Sequence, residues 1–210
     1  MIRPQVHIVD DDPDIRDGLA WLFESRGFSP TAWNGGEAFL QAMRTRQEAD
    51  WGHAVVLLDV RMAPVSGPVA FEQLKLLACP WPVLFLTGHG DVSMAVAAVK
   101  NGAWDFLEKP FQDNELVDRV EQALSAANSA RSDTAEAQRM RQALASLSPR
   151  EREVLDQLVR GQYNKNIADH LGITPRTVEF HRANIFEKMG VSSAVELAHK
   201  LGRLQGKESG

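Results

Sequence analysis

The 210-residue chain is poor in several residues that would carry particular functions. It has one cysteine, Cys79, so an internal disulfide is excluded, and with it a stapled scaffold. That thiol lies in Leu76-Leu77-Ala78-Cys79-Pro80, at the end of an apolar helical pattern, where a buried structural role is expected. The six histidines show no metal-ligand spacing, which argues against a zinc site. No apolar run approaches the roughly 18 residues that a membrane-spanning helix needs. The N-terminus passes from Met1-Ile2-Arg3 directly into a strand signal without a leader pattern, so a cytoplasmic protein with no membrane partner is expected. Glycine and proline are absent between Pro110 and Pro149, so a helix starting there meets no breaker.

What is present suits one or two globular domains: 44% of residues are hydrophobic. The net charge of -5 is unevenly spread. Residues 1–122 carry 10 basic and 18 acidic side chains, whereas residues 147–204 carry 9 basic and 7 acidic. An acidic part joined to a mildly basic one argues for two jobs, the second compatible with nucleic acid.

The first 122 residues alternate strand and helix signals. Strands are expected at Val6–Asp10, Phe28–Trp33, Ala54–Asp59, Val83–Thr87 and Asp105–Glu108. Helices are expected at Pro13–Ser25, Gly36–Thr45, Val69–Leu77, Val92–Lys100 and Asn114–Leu124, with Gly27 and Gly102 at helix stops. Such alternation implies a doubly wound α/β fold, a flavodoxin-like (βα)5 unit whose parallel sheet has the order 2-1-3-4-5.

Four of these apolar runs end in residues suited to phosphoryl transfer. Asp10 and Asp11 close Val6-His7-Ile8-Val9, Asp59 closes Val55-Val56-Leu57-Leu58, Thr87 closes Val83-Leu84-Phe85-Leu86, and Lys109-Pro110 follows Phe106-Leu107-Glu108. Ligand sites of open parallel sheets lie beyond the carboxyl ends of the strands, so these groups should meet on one rim. A carboxylate can attack phosphorus, and Asp59 is the candidate nucleophile. Mg²⁺ favours carboxylates and phosphate oxygens, which Asp10 and Asp11 beside Asp59 would supply. Lys109 offers a point charge and Thr87 a hydroxyl donor. Taken singly, an acidic pair after a strand is ordinarily a solvated turn or a cap, as Asp12-Pro13 is. It is the ordered set that points to chemistry.

With these motifs, residues 5–122 resemble the receiver domain of two-component response regulators. The FixJ branch is the nearest, through Asp59-Val60-Arg61-Met62, Thr87-Gly88-His89-Gly90-Asp91 and Phe106-Leu107-Glu108-Lys109-Pro110-Phe111. The resemblance implies that Asp59 is the phosphoacceptor and that Asp11, Asp59 and the carbonyl of Arg61 bind Mg²⁺, Asp10 acting through water. It also implies a Thr87–Phe106 switch pair and a cis Lys109-Pro110 peptide. Ala63 stands where the family usually has proline, with Pro64 next and Ser66-Gly67 in register.

Residues 125–146 are small and polar, and a largely helical linker is expected there because alanine is abundant. A second domain, 147–210, begins at Leu147. Ser148-Pro149-Arg150-Glu151 carries a cap, a proline at the first helical position and a glutamate three after the serine. Further helices are expected at Asn164–Leu171, Pro175–Met189 and Ser193–Leu201, with Gly172 at the turn and Thr174 as a cap. Helix, glycine turn and capped helix make a helix-turn-helix. The blocks 147–155, Asn164-Lys165-Asn166-Ile167-Ala168, Thr174-Pro175-Arg176-Thr177-Val178 and His181-Arg182 resemble the LuxR/NarL-type DNA-binding domain across 147–203. One departure is Asn166, where that family commonly has glutamate.

Thr174, Arg176 and Thr177 open the recognition helix, where a phosphate is favoured. Glu179, Phe180, Ala183 and Asn184 share its outward face as candidate base contacts, flanked by His181 and Arg182. Lys165 and Lys188 are candidate phosphate contacts, and Val178 and Ile185 candidate core. Leu197, Ala198 and Leu201 are the expected contact between two such domains.

The whole reads as a phosphorylation-controlled transcription regulator. Its expected partners are a sensor histidine kinase, promoter DNA and RNA polymerase, with a homodimer forming on phosphorylation through the surface of the fourth helix, fifth strand and fifth helix, which Val92, Ala95, Val96, Val99 and Leu116 line or underlie. A competing reading is an aspartate-nucleophile phosphohydrolase, many of which carry a second aspartate two residues after the first. Arg61 occupies that position here, and no enzyme is expected. A DNA-binding protein with a vestigial receiver is a third reading, against which the complete acidic set argues.

Overall fold

The structure, a computed structural model, describes residues 3–46, 51–88 and 92–206. Residues His89, Gly90 and Asp91, and the side chains of Val92 and Ala95, lie outside what is described. The chain forms two compact units, Met1–Ala130 and Arg131–Gly210.

In the first unit, β1 (Gln5–Asp10), β2 (Ser29–Asn34), β3 (Ala54–Asp59), β4 (Val83–Thr87) and β5 (Asp105–Glu108) form one sheet. Its order is β2-β1-β3-β4-β5 and every pairing is parallel. Register pairs Val9 with Leu58, Leu58 with Phe85 and Phe85 with Phe106, so the strands end level. The helices are α1 (Pro13–Ser25), α2 (Gly36–Arg44), α3 (Gly67–Leu76), α4 (Val92–Lys100) and the start of α5 (Asp113–Ala145).

Alternation along the strands sorts side chains onto two faces. Val6, Ile8, Val55, Leu57, Leu84 and Leu86 pack with Leu19, Leu22 and Phe23 of α1 and Leu116, Val117 and Val120 of α5. Val9, Val56, Leu58, Val83 and Phe85 pack with Phe39 and Met43 of α2, Phe71 and Leu74 of α3, and Ala98 of α4. Each of the Val, Leu, Ile, Phe and Met side chains among them contributes about 1.5–3 kcal/mol when fully buried. The near-unbroken apolar strands follow from this two-sided cover. α3 starts at Gly67, two residues before the expected Val69, because Gly67 must approach the end of β3: an added Cβ would overlap the Asp59 carbonyl oxygen.

His7 is the polar exception in this core. It is 1% exposed, stacks on Trp81 at 4.5 Å and accepts a hydrogen bond from Trp33 Nε1 at 3.1 Å, while its Nε2 has no partner. Burial, then the charge of Arg46, lowers its pKa from 6.5 to about 4. The unfolded chain therefore binds a proton that the folded unit refuses between those values. Stability is full above about pH 6.5 and is lost as pH falls toward 4. Lowering the pH from 7.5 to 5.5 should cost this unit about 1 kcal/mol through His7. All five tryptophans lie between Trp21 and Trp104, so their fluorescence in urea titrations reads this unit alone. His7→Phe should flatten the pH dependence, and an unchanged slope would exclude His7 as its source.

In the second unit, α6 (Pro149–Val159), α7 (Asn164–Leu171), α8 (Pro175–Met189) and α9 (Ala194–Gly206) surround Val154, Leu155, Leu158, Ile167, Val178, Ile185 and Leu197. Segment 125–145 is helical as part of α5, and Met140 on its last turns is buried in this core. Ser148 and Glu151 form a reciprocal capping box, Glu151 N–H donating to Ser148 Oγ at 3.2 Å and Ser148 N–H to Glu151 Oε2 at 2.8 Å. Gly172 and Gly190 close α7 and α8 in the left-handed conformation. The placement of α9 corrects one expectation. Leu197 is fully buried and Leu201 is partly buried against the same core, whereas Ala198 is exposed, as is Val195.

Candidate functional site

The strand ends bring Asp10, Asp59, Thr87 and Lys109 together. Lys109 Nζ donates to Asp10 Oδ2 at 2.7 Å and to Asp59 Oδ1 at 2.6 Å. Asp59 Oδ2 accepts from the backbone N–H of Arg61 at 2.7 Å, and Asp10 Oδ1 from that of Asp12 at 2.9 Å. Asp10 and Asp59 are buried, whereas Asp11 is exposed. Carboxylate oxygens of all three lie within 4.8 Å of one another. Three carboxylates thus cluster where one ammonium pairs with two of them. That excess of negative charge, made entirely of hard oxygen donors, suits a divalent cation such as Mg²⁺.

Burial raises the Asp59 pKa despite the opposing hydrogen bond and charge of Lys109. Burial works the other way on Lys109, but its bonds to Asp10 and Asp59 outweigh it and hold the ammonium protonated. Thr87 is fully buried and its hydroxyl donates to the Gly88 carbonyl at 3.2 Å. Phe106 is half-buried against the α2–α4 side of the core. The Lys109-Pro110 peptide is cis, and so is Ala63-Pro64. Sequence reasoning missed Arg16, whose Nη1 donates to the Asp10 carbonyl at 2.8 Å. Its position one turn into α1 was the only available signal.

In the second unit, Thr174 caps α8 by accepting from Thr177 N–H at 3.2 Å. Arg176, Glu179, Phe180 and Ala183 are exposed on one stripe, and Phe180 is 63% exposed. Lys165 is exposed, while His181 and Asn184 are half-buried. Two expected contacts also have partners within the fold. Lys188 is exposed and its Nζ pairs with buried Glu151 Oε2 at 2.7 Å, joining α8 to the start of α6. Its hydrogen bond, with that from Ser148 N–H, lowers the Glu151 pKa to about 2. Arg182 donates to Asn164 Oδ1 and lies over the Phe186 ring.

Comparison with known proteins agrees with both halves. Residues 6–121 match the response regulator receiver domain, and residues 145–201 match the bacterial regulatory proteins of the luxR family. The chain belongs to the response regulators of two-component systems. The transcriptional regulatory protein FixJ of Bradyrhizobium diazoefficiens is 42% identical over 96% of this chain and 98% of its own. The C4-dicarboxylate transport transcriptional regulatory protein DctR of Rhodobacter capsulatus is 43% identical over 92% and 96%. Among solved structures, the response regulator StyR superposes with a TM-score of 0.80 at 38% identity, covering 96% of this chain and 99% of that one. Full-length FixJ from B. japonicum gives 0.63 at 40% identity over 98% of both chains. As a response regulator with a LuxR-type domain, the chain is a transcriptional regulator of the FixJ type. No described helix is long and apolar enough to cross a membrane.

Proposed function

We propose that Asp59 accepts a phosphoryl group from a sensor histidine kinase and that this event controls binding to promoter DNA. The observation that carries the reading is Lys109 Nζ, held between Asp10 and Asp59 at the rim of the sheet. An Asp59 oxygen attacks phosphorus, the bond to the donor imidazole breaks, and the imidazole leaves with its electron pair. Lys109 then follows the new charge onto the phosphoryl oxygens. Asp10, Asp11, Asp59 and the Arg61 carbonyl would hold Mg²⁺, which neutralises charge between the carboxylate and the phosphoryl group.

The phosphoryl group draws the Thr87 hydroxyl from Gly88, and Phe106 rotates into the space vacated. This reshapes the surface of α4, β5 and α5, where Met94, Val96 and Trp104 are exposed. Two receivers pair there, and two recognition helices read half-sites about one helical turn apart. Arg176, Thr177, Glu179, Phe180 and Ala183 are the contacts we assign to DNA, with Thr174, Lys165, His181 and Asn184 beside them; RNA polymerase then engages the bound dimer. In this division the receiver ends at residue 124 and the DNA-binding domain begins at 147.

Phosphodonor should shift light scattering toward a dimer and raise DNA affinity about tenfold, a coupling of ordinary size. Thr87→Ala should still take up phosphate but lose most of both gains. If that variant switches like the wild type, the Thr87–Phe106 route is wrong.

A further inference from the structure

We infer that Arg16 is a positioning residue for the divalent-cation site, acting through the peptide between Asp10 and Asp11. This rests on the reading of Asp10, Asp11 and Asp59 as that site. The three carboxylates are not held alike. Asp10 is fixed through both oxygens, by Asp12 N–H and Lys109. Asp59 is fixed through both oxygens, by Arg61 N–H and Lys109. The exposed Asp11 carboxylate has no hydrogen bond or ion pair to any described residue, yet it lies within the same 4.8 Å cluster.

What places Asp11 is therefore its backbone. β1 ends at Asp10, and the peptide that follows has left the ladder of parallel hydrogen bonds. Its carbonyl oxygen, on Asp10, accepts from Arg16 Nη1 at 2.8 Å. Arg16 can reach back because α1 starts immediately after the acids, with Asp12 as cap and Pro13 in its first turn. One helical turn then aims a guanidinium at the strand end. The bond fixes the orientation of the Asp10–Asp11 peptide plane, and with it the direction in which Asp11 leaves the chain. The half-buried guanidinium also brings positive charge to the rim without itself occupying any carboxylate oxygen.

Loss of the donor should leave the fold and the Asp59 nucleophile in place but weaken cation binding, as removal of an outer-shell partner does by about 10–100-fold. The experiment uses the full chain and Mg²⁺ alone. Its affinity is read by calorimetry and by the rise in melting temperature that Mg²⁺ produces. Arg16→Met keeps the length and loses the donor; Arg16→Lys keeps one donor. The Met variant should melt near the wild type without Mg²⁺ and bind it at least about tenfold more weakly. The Lys variant should fall between. With a small phosphodonor, the Met variant should need more Mg²⁺ for half-maximal labelling yet reach the wild-type rate at saturation. Three results overturn the inference: unchanged Mg²⁺ affinity in Arg16→Met, a lower maximal rate at an unchanged Mg²⁺ midpoint, or Arg16→Lys no better than Arg16→Met. Should Arg16→Met fail to fold, Arg16→Lys decides alone, and wild-type Mg²⁺ affinity together with a wild-type midpoint sinks the idea. Failure of the wild type to bind Mg²⁺ at all would instead refute the reading of the acidic cluster.

Discussion

Asp59→Asn should abolish phosphoryl incorporation: a small phosphodonor with Mg²⁺ should add one phosphoryl mass to the wild type and leave the variant at background. The amide keeps the size of the side chain and its bond to Arg61 N–H, so the loss is chemical. An amide oxygen is a far weaker nucleophile than a carboxylate, and no described neighbour can replace it. Both Asp10 oxygens are engaged, by Asp12 N–H and Lys109, and Asp10 is 1% exposed. Asp11 is exposed and lacks the ammonium that holds Asp59 in place. Intact-mass measurement on both proteins checks this, and full labelling of the variant sinks Asp59 as the acceptor.

Lys109→Met should destabilise the receiver by about 3 kcal/mol in metal-free buffer, because it strips the cation from two buried carboxylates. Asp10 and Asp59 would remain close together with only backbone N–H partners. Those donors, and the water that reaches exposed Asp11, keep the cost at the low end for a broken buried pair. Adding Asp59→Asn to the variant should recover most of the loss, since one of the two competing charges is gone; contacts this close are not additive. Mg²⁺ should recover part of it too. Urea titration by tryptophan fluorescence is the measurement, and a Lys109→Met receiver as stable as the wild type would contradict the electrostatic picture.

The parts of the molecule legible in sequence were those that local pattern dictates. The strands announce themselves as short apolar runs, and the acids that end them lie where an open parallel sheet presents ligands. Ser148, Thr174, Gly172 and Gly190 act where caps and stops belong, because a cap is a local hydrogen bond or a local dihedral. What stayed hidden depends on partners distant in sequence. Lys188 looks like any solvated lysine of a recognition helix until Glu151, 37 residues away, is seen to bind it. Leu197 and Leu201 have the spacing of either an interface or a core, and only the packing of α9 chooses core. His7 reads as one more strand residue, and its Trp33 and Trp81 contacts arise only when the sheet assembles. Arg16 escaped notice because a single arginine in a helix carries no pattern.

The division of labour along α8 has a practical consequence for retargeting. Val178, Ile185 and Met189 are core, Arg182 and Lys188 are bound to Asn164 and Glu151, and Thr174 and Thr177 are occupied with the cap. Arg176, Glu179, Phe180 and Ala183, which the proposed reading assigns to DNA, are exposed and take part in none of these contacts. A combinatorial library confined to those four positions would explore new operator sequences while leaving every side chain that folds the domain as it is. Under the proposed reading, selection from such a library would change specificity while the core, cap and ion-pair contacts of the helix stay intact. A library that also varied Arg182 or Lys188 would spend most of its diversity on proteins with a loosened helix.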